Sequence, residues 1–160
     1  MKKLINLITF SRVILGLLFF YFVLFDFNKY YLIIIFILTG VSDILDGRLS
    51  RKYNLSTKEG GKFDVICDFI FIILSTSALV LADLIPPWFL IVIILKLIEF
   101  FKTSNESLRY DEFGHIVALM FYAFPIFAIL IGLKEINLIL SIFITICAII
   151  SSTMRIRGVK

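Results

Sequence analysis

Four aspartates are the residues best placed for chemistry in this chain. Asp43 and Asp46 stand three apart, and Asp64 and Asp68 four apart, within the stretch DILDGRLSRKYNLSTKEGGKFDVICD. Both spacings put a pair on one face of a helix, about one turn apart. Each pair lies where a long apolar run meets a polar stretch. A carboxylate at such a boundary is costly unless something cationic neutralises it. Four converging carboxylates suit hard divalent cations such as Mg²⁺, Mn²⁺ or Ca²⁺. A plainer account, interfacial aspartates solvated by loop water, serves for a single Asp. It does not explain two helically spaced pairs beside Gly47, Arg51 and Gly60.

The elements that must position these residues are membrane helices. Of the 160 residues, 61% are hydrophobic, against about half in a soluble domain. A near-continuous series of long apolar runs predicts a polytopic, all-α integral membrane protein with one domain over residues 1–160 and no room for a separate soluble domain. Residues 2 to 10 (KKLINLITF) predict a short amphipathic juxtamembrane helix with Lys2 and Lys3 toward anionic headgroups, running into a first span over residues 11–25. Further spans are expected near 30–45, 62–82, 88–101, 113–133 and 138–154, six in all. The segment 48–61, with Gly60-Gly61 and no apolar period, reads as a loop. Pro86-Pro87 opens the fourth helix, and Pro125 marks a kink in the fifth. Cys67 and Cys147 lie in apolar runs without zinc spacing and read as packing residues. No small-residue cleavage site follows the first apolar run, so no cleavable signal is expected.

Six spans put both termini on one side. Of the sixteen Lys and Arg residues, all but Lys29 and Lys134 fall on that side when Arg12 and Lys96 are counted with their nearest membrane end. The positive-inside rule then puts both termini and all four aspartates at the cytoplasmic face of the cell membrane.

Three functions compete for these residues. In metal-assisted transfer on a phosphorylated substrate, divalent ions neutralise a diphosphate. Arg51 then meets a phosphate oxygen, and Gly47 and Gly60 let a ligand approach the backbone. A six-helix divalent-cation transporter would use the aspartates as its ion site, but leaves Arg51 and the glycines without a role. A small substrate-binding subunit of a larger transporter gives no reason for four carboxylates at one face.

The stretch resembles the signature of the CDP-alcohol phosphotransferase (CDP-alcohol phosphatidyltransferase) family, D-x2-D-G-x2-A-R-x8-G-x3-D-x3-D. Asp43, Asp46, Gly47, Arg51, Gly60, Asp64 and Asp68 all stand at its spacing, and Ser50 replaces the usual Ala. Asn6, Thr9 and Arg12 are similar to the family's N-x-L-T-x2-R start, with Ile8 in place of Leu. The resemblance implies two Mg²⁺ or Mn²⁺ ions per site, held by Asp43, Asp46, Asp64 and Asp68. It implies that Gly47, Arg51 and Gly60 hold the CMP part of a CDP-linked lipid. It further implies that Asp68 acts as general base on a small polar alcohol, with release of CMP. A homodimer embedded in membrane lipid is expected by the same resemblance, and no nucleic-acid partner.

The acceptor is less legible. Lys62, Lys102, Arg109, Arg155 and Arg157 enrich the cytoplasmic face in positive charge, which suits topology and anionic lipid. The same charge leans toward a phosphorylated acceptor, glycerol phosphate or inositol phosphate, over serine. Lys96 and Glu99, three apart in the fourth span, can pair on one face, either as a structural ion pair or as a substrate contact. His115 reads as a structural interfacial residue. Trp88 and Tyr30 fit interfacial anchors.

Overall fold

The computed structural model describes residues 2–55, 57–103 and 112–157. Six helices account for nearly all of them: α1 (Lys2–Leu24), α2 (Lys29–Lys52), α3 (Lys58–Leu81), α4 (Trp88–Thr103), α5 (Glu112–Ile131) and α6 (Lys134–Arg157). Residues 104–111 of the expected polar loop, with Arg109, lie outside the described residues, as do Lys160 and the side chains of Arg155 and Arg157. The chain forms two compact units, Met1–Ala78 and Leu79–Lys160, with the boundary inside α3.

In the first unit, α1 and α2 pack along matching stripes. Ile5, Thr9, Arg12, Gly16 and Phe19 are buried on α1, and Leu32, Ile35, Thr39, Ser42 and Asp46 on α2. Alternating steps of three and four residues make one continuous seam per helix. The seam is apolar near the α1–α2 turn and polar at the other end, where Thr9, Arg12, Ser42 and Asp46 meet. Gly16 lets α3 come close: a Cβ there would lie 3.3 Å from the Phe71 Cα and 3.1 Å from the Leu74 Cδ1. One step along the seam, Phe19 meets Phe71 edge-on at 6.0 Å.

The expected surface helix and first span are one uninterrupted α1. The segment 48–61 is mostly helix rather than loop. Arg48 to Lys52 complete α2, and Gly60-Gly61 lie in the first turn of α3. Long basic side chains are good helix formers and favour a helix C-terminus, where Arg51 and Lys52 stand. Asn54, at φ 53°, ends α2: Leu55 N–H donates to the Ser50 carbonyl at 2.9 Å and Asn54 N–H to that of Arg51 at 3.2 Å. Asp26 and Asp83, at φ 50° and 57°, close α1 and α3 with the same pair of bonds. Asp and Asn tolerate this left-handed position better than other side chains.

In the second unit, Phe89 of α4 packs on Phe121 and Phe124 of α5 at 5.7 and 5.0 Å. Pro125 is buried inside α5, and the helix continues through it. Gly132, at φ 65°, turns the chain into α6, where the buried Asn137 donates to the Ala128 carbonyl at 3.1 Å.

Among the described residues, four helical segments are long and apolar enough to cross a membrane: Lys2–Leu24, Glu59–Leu81, Gly114–Ile131 and Lys134–Met154. The other two expected spans, α2 and α4, are not among these segments. Helix α4 has 16 residues, about 24 Å against a hydrocarbon core of about 30 Å. Helix α2 carries the charged residues that build the site.

Candidate active site

Arg12 stands at the centre of the four aspartates. It is fully buried on the α1 seam. Its Nη2 pairs with Asp46 Oδ2 and lies 3.3 Å from Asp43 Oδ1. Its Nη1 lies 2.8 Å from Asp64 Oδ1 and 2.5 Å from Asp68 Oδ1. Its Nε donates to Ser42 Oγ at 3.3 Å. Three helices therefore supply one ionic centre: α1 the guanidinium, α2 the first carboxylate pair and α3 the second. The Thr9 hydroxyl, one turn before Arg12, donates to Asp46 Oδ2 at 2.7 Å.

The carboxylates differ in access. Asp46 is on the seam and nearly inaccessible, whereas the side chain of Asp43 is 52% exposed, that of Asp64 37% and that of Asp68 29%. Four carboxylates against one guanidinium leave negative charge uncompensated. Asp64 Oδ1 is buried and accepts no hydrogen bond, although Arg12 lies within ion-pair distance. Asp43, Asp64 and Asp68 each present an oxygen, all within 4.8 Å of one another. A cluster of hard oxygen donors with surplus negative charge fits a divalent cation. Asp46, expected in the same set, is engaged by Arg12 and Thr9.

The other signature residues border the carboxylates on the side of the α2–α3 connection. Gly47 and Arg51 follow Asp43 by one and two helical turns. A Cβ on Gly47 would lie 3.7 Å from an Arg51 Nη2, so the exposed guanidinium lies near the glycine. Gly60 stands one turn before Asp64. Its N–H donates to Thr57 Oγ1 at 3.0 Å, which caps α3, and a Cβ there would approach that hydroxyl to 3.1 Å. Gly60 thus has a local duty, room for the cap.

Lys96 and Glu99 form an ion pair at 3.1 Å on α4. Lys96 also donates to Ser151 at 3.2 Å, and Ser152 donates to Glu99 at 2.6 Å, which ties α4 to α6. His115 is exposed near the start of α5. Sequence reasoning missed the central duty of Arg12 and the supporting contacts of Thr9 and Ser42. A usable signal was present, since a lone arginine inside an apolar run needs a countercharge.

The sequence profile of the CDP-alcohol phosphatidyltransferase family matches residues 3–152. The chain belongs to that family. The match spans both units and contains every residue of the ionic centre. Over 61 residues, 38% of the chain, it is 39% identical to the CDP-diacylglycerol–glycerol-3-phosphate 3-phosphatidyltransferase of Bacillus subtilis, covering 32% of that protein. Over 64 residues, 40% of the chain, it is 30% identical to the cardiolipin synthase (CMP-forming) of Streptomyces coelicolor, covering 30% of that protein. The aligned stretches span about a third of each relative's length.

Proposed function

We propose that the protein moves a phosphatidyl-type group from a CDP-linked lipid to a small polar alcohol and releases CMP. The observation that carries this is the convergence of the four signature carboxylates in a member of this family. Asp43, Asp46, Asp64 and Asp68 would hold two Mg²⁺ or Mn²⁺ ions. Such ions would neutralise the charge of the diphosphate as it shifts in the reaction. Asp68 accepts the proton of the acceptor hydroxyl, which then attacks the phosphorus bearing the lipid alcohol while the bond to CMP breaks. Partial exposure of Asp68 supports this duty. Gly47 admits the CMP part against the α2 backbone, the Arg51 fork takes its phosphate, and Gly60 shares in holding the CMP part.

An open apolar groove of about 440 Å³ runs between α1 and α2, lined by Leu7, Ile14, Leu38 and Val41 and by Ser11 and Ser42. Ser42 also touches Arg12. An apolar groove on the helix pair that carries the ionic centre supports a substrate whose tails stay in the bilayer. The two units then serve one domain with six membrane-crossing helices. Both termini and the aspartates face the cytoplasm. A cysteine at Lys134, in a background without Cys67 and Cys147, should react with an impermeant reagent added outside whole cells; labelling only after lysis would reverse this topology.

The name of the Bacillus subtilis relative supports glycerol phosphate as acceptor, in line with the basic cytoplasmic face. The test is CMP release from CDP-diacylglycerol against glycerol 3-phosphate, inositol phosphate, serine and phosphatidylglycerol. Release with glycerol 3-phosphate is expected. Release with serine alone would overturn the preference for a phosphorylated acceptor.

A further inference from the structure

The guanidinium of Arg12 touches all three carboxylates suited to a divalent ion: Nη1 lies against Asp64 and Asp68, and Nη2 lies 3.3 Å from Asp43. We infer that Arg12 is a resident cation that competes with divalent metal for these carboxylates, so that metal enters as the guanidinium yields them. The inference rests on reading the aspartates as the metal site.

The contacts divide by edge. Nη1 faces Asp64 and Asp68 on α3, both in the three-carboxylate cluster. Nη2 and Nε are held on α2 by Asp46 and Ser42, outside that cluster, and Nη2 also lies 3.3 Å from Asp43, inside it. Thr9 fixes Asp46 from α1. The fork is therefore tied to α2 through Asp46 and Ser42, while its Nη1 edge lies against two of the three clustered carboxylates.

The energetics agree with this division. A buried guanidinium and buried carboxylates each need a countercharge, and Arg12 supplies one when no divalent ion is bound. A guanidinium and a divalent ion gathered on the same three carboxylates repel each other at close range. The cost of displacing Arg12 therefore weakens metal binding. That weakening would set the divalent concentration at which the site fills.

The experiment is Mn²⁺ binding, followed by the loss of the free-ion electron paramagnetic resonance signal, to the purified full-length protein in detergent. The variants are Arg12→Gln, Ser42→Ala and Asp64→Asn. Removing a positive charge a few ångströms from the ion should tighten Mn²⁺ binding by about tenfold or more in Arg12→Gln. Ser42→Ala removes one anchor and should tighten it by a smaller factor. Mn²⁺ should also raise the melting temperature of Arg12→Gln more than that of the parent. Equal or weaker binding by a folded Arg12→Gln overturns the inference; if that variant does not fold, unchanged affinity in Ser42→Ala does so. Asp64→Asn separates the two layers. If it binds Mn²⁺ like the parent, the aspartates are not the metal site and the underlying reading fails as well. If it loses Mn²⁺ while Arg12→Gln matches the parent, only the competition fails.

Discussion

Asp68 touches the same guanidinium as Asp46 but is open to its surroundings where Asp46 is sealed. That difference separates a residue that can meet an acceptor hydroxyl from one that holds the seam together. Asp68→Asn keeps the shape and a hydrogen-bond acceptor for Arg12, so the fold should survive. Transfer should fall by about 100-fold or more, the usual worth of a general base. Matched melting curves and CMP assays check this, and near-parental turnover would remove Asp68 from the base role. At this scale the sequence was informative about the carboxylates, because helical spacing turns three- and four-residue steps into shared faces. It was poorer on Arg12, because the partners lie 30 or more residues away and no local pattern links them. The arginine entered only as part of an N-terminal motif and as a charge to be counted in topology, yet its side chain reaches all four aspartates.

Helix α1 sets where that arginine sits, and Gly16 sets where α1 sits. One turn beyond Arg12, Gly16 lies against the Phe71 backbone, which cannot move aside as a side chain can. Gly16→Ile should push α1 from α3, destabilise the protein by about 1–3 kcal/mol and lower transfer together with stability. Thermal unfolding followed beside activity reads both, and a variant with parental stability would show that the close approach is not needed. Six helices were legible from apolar runs, and their centres fell where expected. Their ends were not, because Arg48, Arg51 and Lys52 have no apolar period yet extend α2 as good helix formers at a favourable terminus. Thr57 and Asn54 fix the α2–α3 connection through a cap and a left-handed turn, and neither stands out in a stretch already rich in polar residues.

Across the whole molecule, apolar surface and ionic centre are joined on one helix pair. The outer faces of α1 and α2 expose Leu7, Ile14, Leu38 and Val41, while their shared seam ends in Arg12 and Asp46. A lipid with a charged diphosphate head has the same division of chemistry. An ion transporter would need the carboxylates but neither the groove nor Arg51, and membership of a phosphatidyltransferase family favours the enzyme. The most direct measurement is therefore made in proteoliposomes, with CMP release and Mn²⁺ flux followed in the same preparation. The predicted result is CMP release that requires CDP-diacylglycerol, an acceptor and a divalent ion, is lost in Asp64→Asn, and proceeds without Mn²⁺ crossing the bilayer. Mn²⁺ flux without any CDP compound, from folded protein that releases no CMP, would contradict it.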